Sequence, residues 1–342
     1  MPEIAWCSCF GWVGVEIFFV ISGLVIANSA HWASPRQFAV GRFLRLYPTA
    51  WCAAVFSYPV FLWSIGSRGH SILPLFLSLV LLHAPFLASA YWTLPIELSF
   101  YSLILLMLVF RAFRYIERFS IVLILLDAPY LLALWLSARG IIHWRLLDFE
   151  FGAGNMLLLR HGIFFGLGIL IWLHKEGRLS RAGMCAGVLA IVLSFAEIYS
   201  RSVEFYLEFT RSNVTPHLAW RHLGLTANLA FCLGFGAILL SIKFNHLFPS
   251  GIKTRYFVRT LGLTTYPFYL LHQRVGGFAI DRTTRIGVGH IPSLLIALAA
   301  TEAISLLIAL YCEPALRSLL RKLMPGLRTV QPIRLVSQPE KG

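Results

Sequence analysis

Charge is what this sequence has least of. Only 13% of its 342 residues are charged, and acids are the scarcer sign, with 15 Asp and Glu against 29 Lys and Arg. A soluble domain carries roughly twice that charged fraction. Cysteine is sparse too, with six in the chain. Cys52, Cys185, Cys232 and Cys312 lie in or beside apolar runs, where a thiol acts as a small hydrophobe. Cys7 and Cys9 form a C-x-C that is too little for a metal site by itself. The eleven histidines show no HExxH or CxxC partner spacing, so no metal site is expected. Internal repeats, low-complexity tracts and linkers are absent as well. The net charge of +14 comes without a basic stripe interleaved with aromatics, which excludes nucleic acid as a partner.

Apolar surface fills the space that charge leaves. Hydrophobic residues make up 58% of the chain, and its mean hydropathy is +0.74. Stretches of bilayer-crossing length, roughly 17–25 residues, recur from end to end. The sequence therefore predicts an all-α, polytopic transmembrane helix bundle of about nine spans. They fall at 13–30, 46–64, 96–113, 119–137, 158–174, 182–199, 222–242, 258–277 and 293–312. The stretch 72–90 is apolar but holds Pro74, His83 and Pro85, and it reads as a re-entrant or interfacial segment buried by protein. One membrane domain takes residues 1–316, and residues 317–342 form a basic cytoplasmic tail.

Loop charges orient this scheme. With nine crossings, Arg36, Arg42, Arg45, Arg111, Arg114, Arg118, Lys175, Arg178 and Arg181 share one side. Lys243, Lys253, Arg255, Arg259 and the basic tail join them, making nineteen Lys and Arg against ten. The positive-inside rule makes the rich side cytoplasmic, with the carboxyl terminus there and the amino terminus outside. A full crossing at 72–90 would spoil that asymmetry.

Ionisable residues within a bilayer are costly and are functional candidates by default. Here they are Glu16, Glu97, Asp127, Glu197, His272, Glu302 and Glu313, with Arg42 and Arg45 at a boundary. Glu16 lies in Gly11-Trp12-Val13-Gly14-Val15-Glu16-Ile17-Phe18-Phe19-Val20-Ile21-Ser22-Gly23. There Gly14 and Gly23 permit close helix approach and Ser22 can bond a neighbouring backbone; a merely well-packed helix explains the pattern equally well. In Gly41-Arg42-Phe43-Leu44-Arg45-Leu46-Tyr47-Pro48 the arginines are three apart on one helical face. They can clamp a phosphate or pyrophosphate, or simply mark the boundary. Glu97, in Tyr91-Trp92-Thr93-Leu94-Pro95-Ile96-Glu97-Leu98-Ser99-Phe100-Tyr101, is either a helix-terminal acid favoured by the dipole or an acid that positions a sugar hydroxyl on the outer side. His272 closes Tyr266-Pro267-Phe268-Tyr269-Leu270-Leu271-His272, where a satisfied core histidine is the commoner outcome. Glu313 stands in Tyr311-Cys312-Glu313-Pro314.

In this order and spacing the five patterns resemble membrane acyltransferase family 3, which acetylates O-antigen, exopolysaccharides and nodulation factors. The resemblance runs from about Gly11 to Glu313, and Gly11 to Arg45 is most similar to the exopolysaccharide-production branch. It implies an integral protein of the bacterial cytoplasmic membrane. It also implies acyl transfer, acetyl above all, from acyl-CoA to a hydroxyl of a cell-surface polysaccharide or its lipid-linked precursor. Acyl-CoA would be a substrate, with no permanently bound cofactor. On the same resemblance Arg42 and Arg45 contact the anionic CoA moiety, Glu313 is a functional acid, and Gly14, Glu16, Ser22, Gly23, Glu97, Tyr101 and His272 are structural or substrate-side positions. Family members begin with a helix bearing a basic residue and a catalytic histidine, and no such helix precedes Gly11. The expectation is therefore that Met1 is a truncated start, with His31 as a replacement base in second place. Two other readings compete. A glycan transporter or flippase predicts paired symmetric halves, and an inactive fragment predicts no activity at all.

Overall fold

The computed structural model describes residues 11–65, 72–81, 87–138, 141, 157–211, 220–244 and 251–323. Its regular elements are all helical, with no strand among the described residues. The long helices are α1 (Val13–His31), α2 (Pro35–Ile65), α4 (Thr93–Val109), α5 (Ile116–Ala138) and α7 (Arg181–Arg211), with α8 (Trp220–Lys243), α9 (Ile252–Leu271) and α11 (His290–Leu307). Shorter helices are α3 (Leu73–Val80), α6 (Gly162–Lys175), α10 (Gly277–Arg285) and α12 (Glu313–Leu323).

Six stretches are long and apolar enough to cross a membrane: Val13–His31, Ser89–Val109, Phe113–Leu136, Arg181–Phe205, Gly224–Lys243 and His290–Leu323. The expected nine spans are thus corrected to six among the described residues, and each of the other three has a physical reason. The span at 158–174 is the 14-residue α6, about 21 Å long at 1.5 Å per residue, against a hydrocarbon core of about 30 Å. The span at 46–64 lies in a helix of 31 residues that carries Pro48 and Pro59 in its interior. Tyr47, Tyr58, Trp51 and Trp63 further dilute its hydropathy. The span at 258–277 begins in α9, whose sequence includes Lys253, Arg255, Arg259 and three tyrosines. Counting crossings consequently no longer fixes the side of each loop.

No helix of crossing length is described within the segment 72–90. Its helix α3 has eight residues, about 12 Å of rise, and it ends where Leu81 adopts a left-handed φ of 58°. Ser78 secures the return by donating to the Pro74 carbonyl at 2.7 Å and accepting the Leu87 N–H at 2.8 Å. Residues 82–86, with His83 and Pro85, lie outside the described residues.

The chain divides into two compact units. The first comprises Met1–Trp32 and Ser102–Phe248 and contains α1, α5, α6, α7 and α8. Its centre is α6, buried from Gly162 to Leu170 and again at Trp172 and Leu173. A helix that is apolar all round belongs inside a bundle, and this one is enclosed by protein. Close approach of α1 explains Gly23 and Gly168. A methyl group on Gly168 would run into the α1 backbone at Val20, and one on Gly23 into the backbone of Phe165. Gly14, by contrast, faces open space.

The second unit comprises Ala33–Tyr101 and Pro249–Gly342 and contains α2, α3, the start of α4, and α9 to α12. Its core joins Leu46, Ala50, Ala53 and Ala54 of α2 to Tyr91, Leu94, Leu270, Leu271 and Ile308. Two π-helical turns interrupt the late helices, His272–Gly276 after α9 and Ile308–Cys312 between α11 and α12. Such turns add a residue to the helical repeat and re-aim the side chains beyond them, frequently at functional sites.

Candidate functional site

In the second unit, α2 supplies the first face of the site. Arg42, Arg45 and Thr49 come at intervals of three and four, which places them along one side of the helix. The Arg42 guanidinium lies over the rings of Phe38 and Tyr101, at 5.5 and 5.6 Å from their centroids. Arg45 is exposed, and Thr49 is fully enclosed.

Glu313 meets that face from 264 positions away. Thr49 Oγ1 donates to Glu313 Oε2 at 2.5 Å, and the other carboxylate oxygen pairs with Arg317 one turn along α12. Glu313 is 4% exposed and opens α12 directly after the π turn Ile308–Cys312. The turn therefore sets the direction in which this carboxylate points.

A third part of the site comes from the start of α4. Tyr101 donates to Glu97 one turn away, and both side chains are buried. Glu97 lies within electrostatic range of Arg45 and Arg42. The nine-span scheme puts Glu97 and the arginine pair on opposite sides of the bilayer, and the structure corrects it. In the structure α4 starts beside the middle of α2. Tyr91 Oη donates to the Ala50 carbonyl at 2.7 Å, and Trp51 Nε1 donates to the Leu79 carbonyl at 2.7 Å. From α9, Tyr266 donates to the Leu46 carbonyl at 3.3 Å. Motifs scattered from 42 to 313 thus converge on two turns of α2.

A family model described as an acyltransferase domain matches residues 9–310. The chain belongs to that family, membrane acyltransferase family 3. No curated protein and no solved structure matches the chain. The family and the six apolar helices together make it an integral membrane acyltransferase.

Other residues singled out in this acyltransferase's sequence have surroundings of their own. His272 opens the first π turn, bonds the Tyr269 carbonyl at 2.6 Å through Nδ1 and stacks on Phe268. There it is half-buried and hydrogen-bonded. His31 ends α1 in the first unit, exposed and packed against the rings of Trp32, Phe113 and Trp172. Its surroundings are aromatic, with Arg178 and Glu176 within electrostatic range. Ser22 and Gly23 are buried on α1.

Sequence reading missed a second polar assembly, in the first unit. Glu16 meets His161 Nδ1 at 3.3 Å. Beside it, Arg160 donates to Glu197 at 2.8 Å and to both oxygens of Glu204 at 2.9 and 3.1 Å, while Arg201 reaches Glu204 at 3.0 Å. Asp127 accepts the Ile163 N–H at 2.7 Å and so caps the first turn of α6. Asp127 and Glu197 each keep one carboxyl oxygen without a hydrogen-bond partner among the described residues. The missed signal was the adjacency of Arg160 and His161 at the head of an apolar helix, upstream of Glu197 and Glu204 one helical face apart.

Proposed function

We propose that this acyltransferase moves an acyl group, acetyl in the first instance, from acyl-CoA to a hydroxyl of a cell-surface polysaccharide or its lipid-linked precursor. The acceptor oxygen bonds to the thioester carbon as the carbon–sulfur bond breaks, and the hydroxyl proton ends on the CoA sulfur. Arg42 and Arg45 hold the anionic part of the donor. Glu313, fixed by Thr49 and Arg317, is the acid that orders the site, with Glu97 and Tyr101 framing Arg42. The observation that carries this reading is the convergence of the arginine pair, the Glu97–Tyr101 pair and Glu313 on one stretch of α2. Paired guanidiniums suit phosphate oxygens better than isolated ammonium groups do.

The arginine-bearing end of α2 is assigned to the cytoplasmic side, where acyl-CoA is found. Support comes from the density of Arg36, Arg42 and Arg45 at that end, in keeping with the positive-inside rule. The test is CoA affinity of the purified full chain. Arg42→Ala and Arg45→Ala should each raise the Kd about tenfold, as expected for loss of a charge-assisted contact, with the melting temperature in detergent little changed. Unaltered affinity in both variants overturns the donor site.

A further inference from the structure

The family match ends at residue 310, and of the helix beyond it only Glu313, held by Arg317, belongs to the site described above. That helix, α12, begins three residues later and carries Arg317, Arg321 and Lys322. With α11 and the π turn it forms a helical stretch of 34 residues, His290–Leu323. That is about 51 Å at 1.5 Å per residue, well beyond a hydrocarbon core of about 30 Å. One end must leave the apolar layer, and the charged end is α12. The same holds for α2, whose 31 residues bear their arginines in the first eleven.

The two charged ends are tied together. Thr49 and Glu313 cross-link α2 to α12, and Arg45 and Arg317 each stand one turn from that link, at i−4 on α2 and i+4 on α12. The guanidinium of Arg317 is within electrostatic range of both Arg45 and Arg321. Arg321 follows Arg317 by four residues on the same side of α12, so the three guanidiniums form one basic cluster beside the Thr49–Glu313 link, in which Glu313 is engaged by Arg317 and Thr49. Arg45 and Arg321 are exposed, so a solute can reach them. Glu313 brings one negative charge to this group of three positive ones.

We propose that α12 extends the donor site, with Arg317 and Arg321 joining Arg45 in a binding site for a phosphate group of the acyl donor. This rests on the acyl-CoA reading above and adds a second helix to it. A donor bearing several phosphates is then gripped from α2 and α12 together. The Thr49–Glu313 bond fixes the distance between the two sets of arginines.

The experiment uses the full chain in detergent, with Arg321→Gln as the main variant because its exposed side chain leaves the fold intact. Arg321→Lys and Arg317→Lys are companions that keep the charge. Coenzyme A binding is measured by titration calorimetry, and melting temperature is monitored on adding coenzyme A or phosphatidylglycerol. Arg321→Gln should raise the coenzyme A Kd about three- to tenfold, and Arg321→Lys should restore most of it, as for a partly solvated phosphate contact. The melting shift with phosphatidylglycerol should be equal in wild type and Arg321→Gln. If Arg321→Gln keeps wild-type coenzyme A affinity while Arg42→Ala and Arg45→Ala lose it, α12 has no part and the donor reading survives. If Arg321→Gln diminishes the phosphatidylglycerol shift alone, the arginines serve a lipid phosphate and the proposal fails. A wild-type chain that binds no coenzyme A removes the donor reading itself.

Discussion

Arg160 and Arg45 are both arginines of apolar helical units, yet their surroundings are opposite. In the first unit Arg160, with a side chain 7% exposed, is enclosed by Glu197 and Glu204, and the acids outnumber the bases. In the second unit Arg42, Arg45, Arg317 and Arg321 outnumber Glu97 and Glu313, and two of these arginines are exposed. Removing one partner of a buried pair leaves a stranded charge, whereas an exposed cation keeps much of its hydration and costs little to disturb. The difference teaches where to look for fold and where to look for binding. The first network locks helices α1, α6 and α7, and the second presents charge.

That contrast can be broken most severely at Arg160. Arg160→Leu strands Glu197 and should cost about 3–5 kcal/mol of stability, the range for a broken buried pair. The readout is thermal denaturation in detergent, and a variant as stable as wild type would show the network to be dispensable. Next comes Gly168→Ala, whose methyl forces α1 away from α6 and should cost about 1–3 kcal/mol by overpacking. Its coenzyme A affinity should stay at the wild-type value, since the change is confined to the first unit; a large affinity loss would deny the division of labour. The smallest effect on folding is expected for Thr49→Val, about 1 kcal/mol or less for one hydrogen bond within a membrane protein. There the loss should appear in donor affinity and turnover instead. Thr49→Ser should retain both, because the hydroxyl that holds Glu313 is kept.

Much of this architecture is legible in the sequence. Helical class and membrane character come from apolar runs that no soluble core needs. The interruption of 72–90 is legible in its prolines, and the helix described there has eight residues. The number of crossings is not legible, because hydropathy along the chain cannot distinguish a helix facing lipid from α6, which faces only protein. For the site, spacing alone puts Arg42 and Arg45 on one face. That Glu313 meets Thr49 is invisible, since the link spans 264 positions and Thr49 is an ordinary residue in an apolar run. Glu97 is misplaced by the linear pattern because, even with 72–90 turning back, the sequence does not show that the return packs Tyr91 against the middle of α2, which is a tertiary fact. The Arg160–Glu197–Glu204 network escapes notice for the opposite reason. Taken one at a time its members are isolated acids in spans, when each is explained by the others.

The π turn at Ile308–Cys312 has a consequence for rotational phase. An α-helix advances about 100° per residue, so the extra residue held in that turn sets the azimuth of everything after it. Glu313, Arg317 and Arg321 share one meridian of α12, and that meridian faces α2 only with the turn in place. A one-residue deletion in 308–312 would preserve composition, hydropathy and length almost unchanged, yet it would swing the whole row a quarter-turn away. The carboxyl-terminal charges are therefore addressed to the site by a single residue of helical slack.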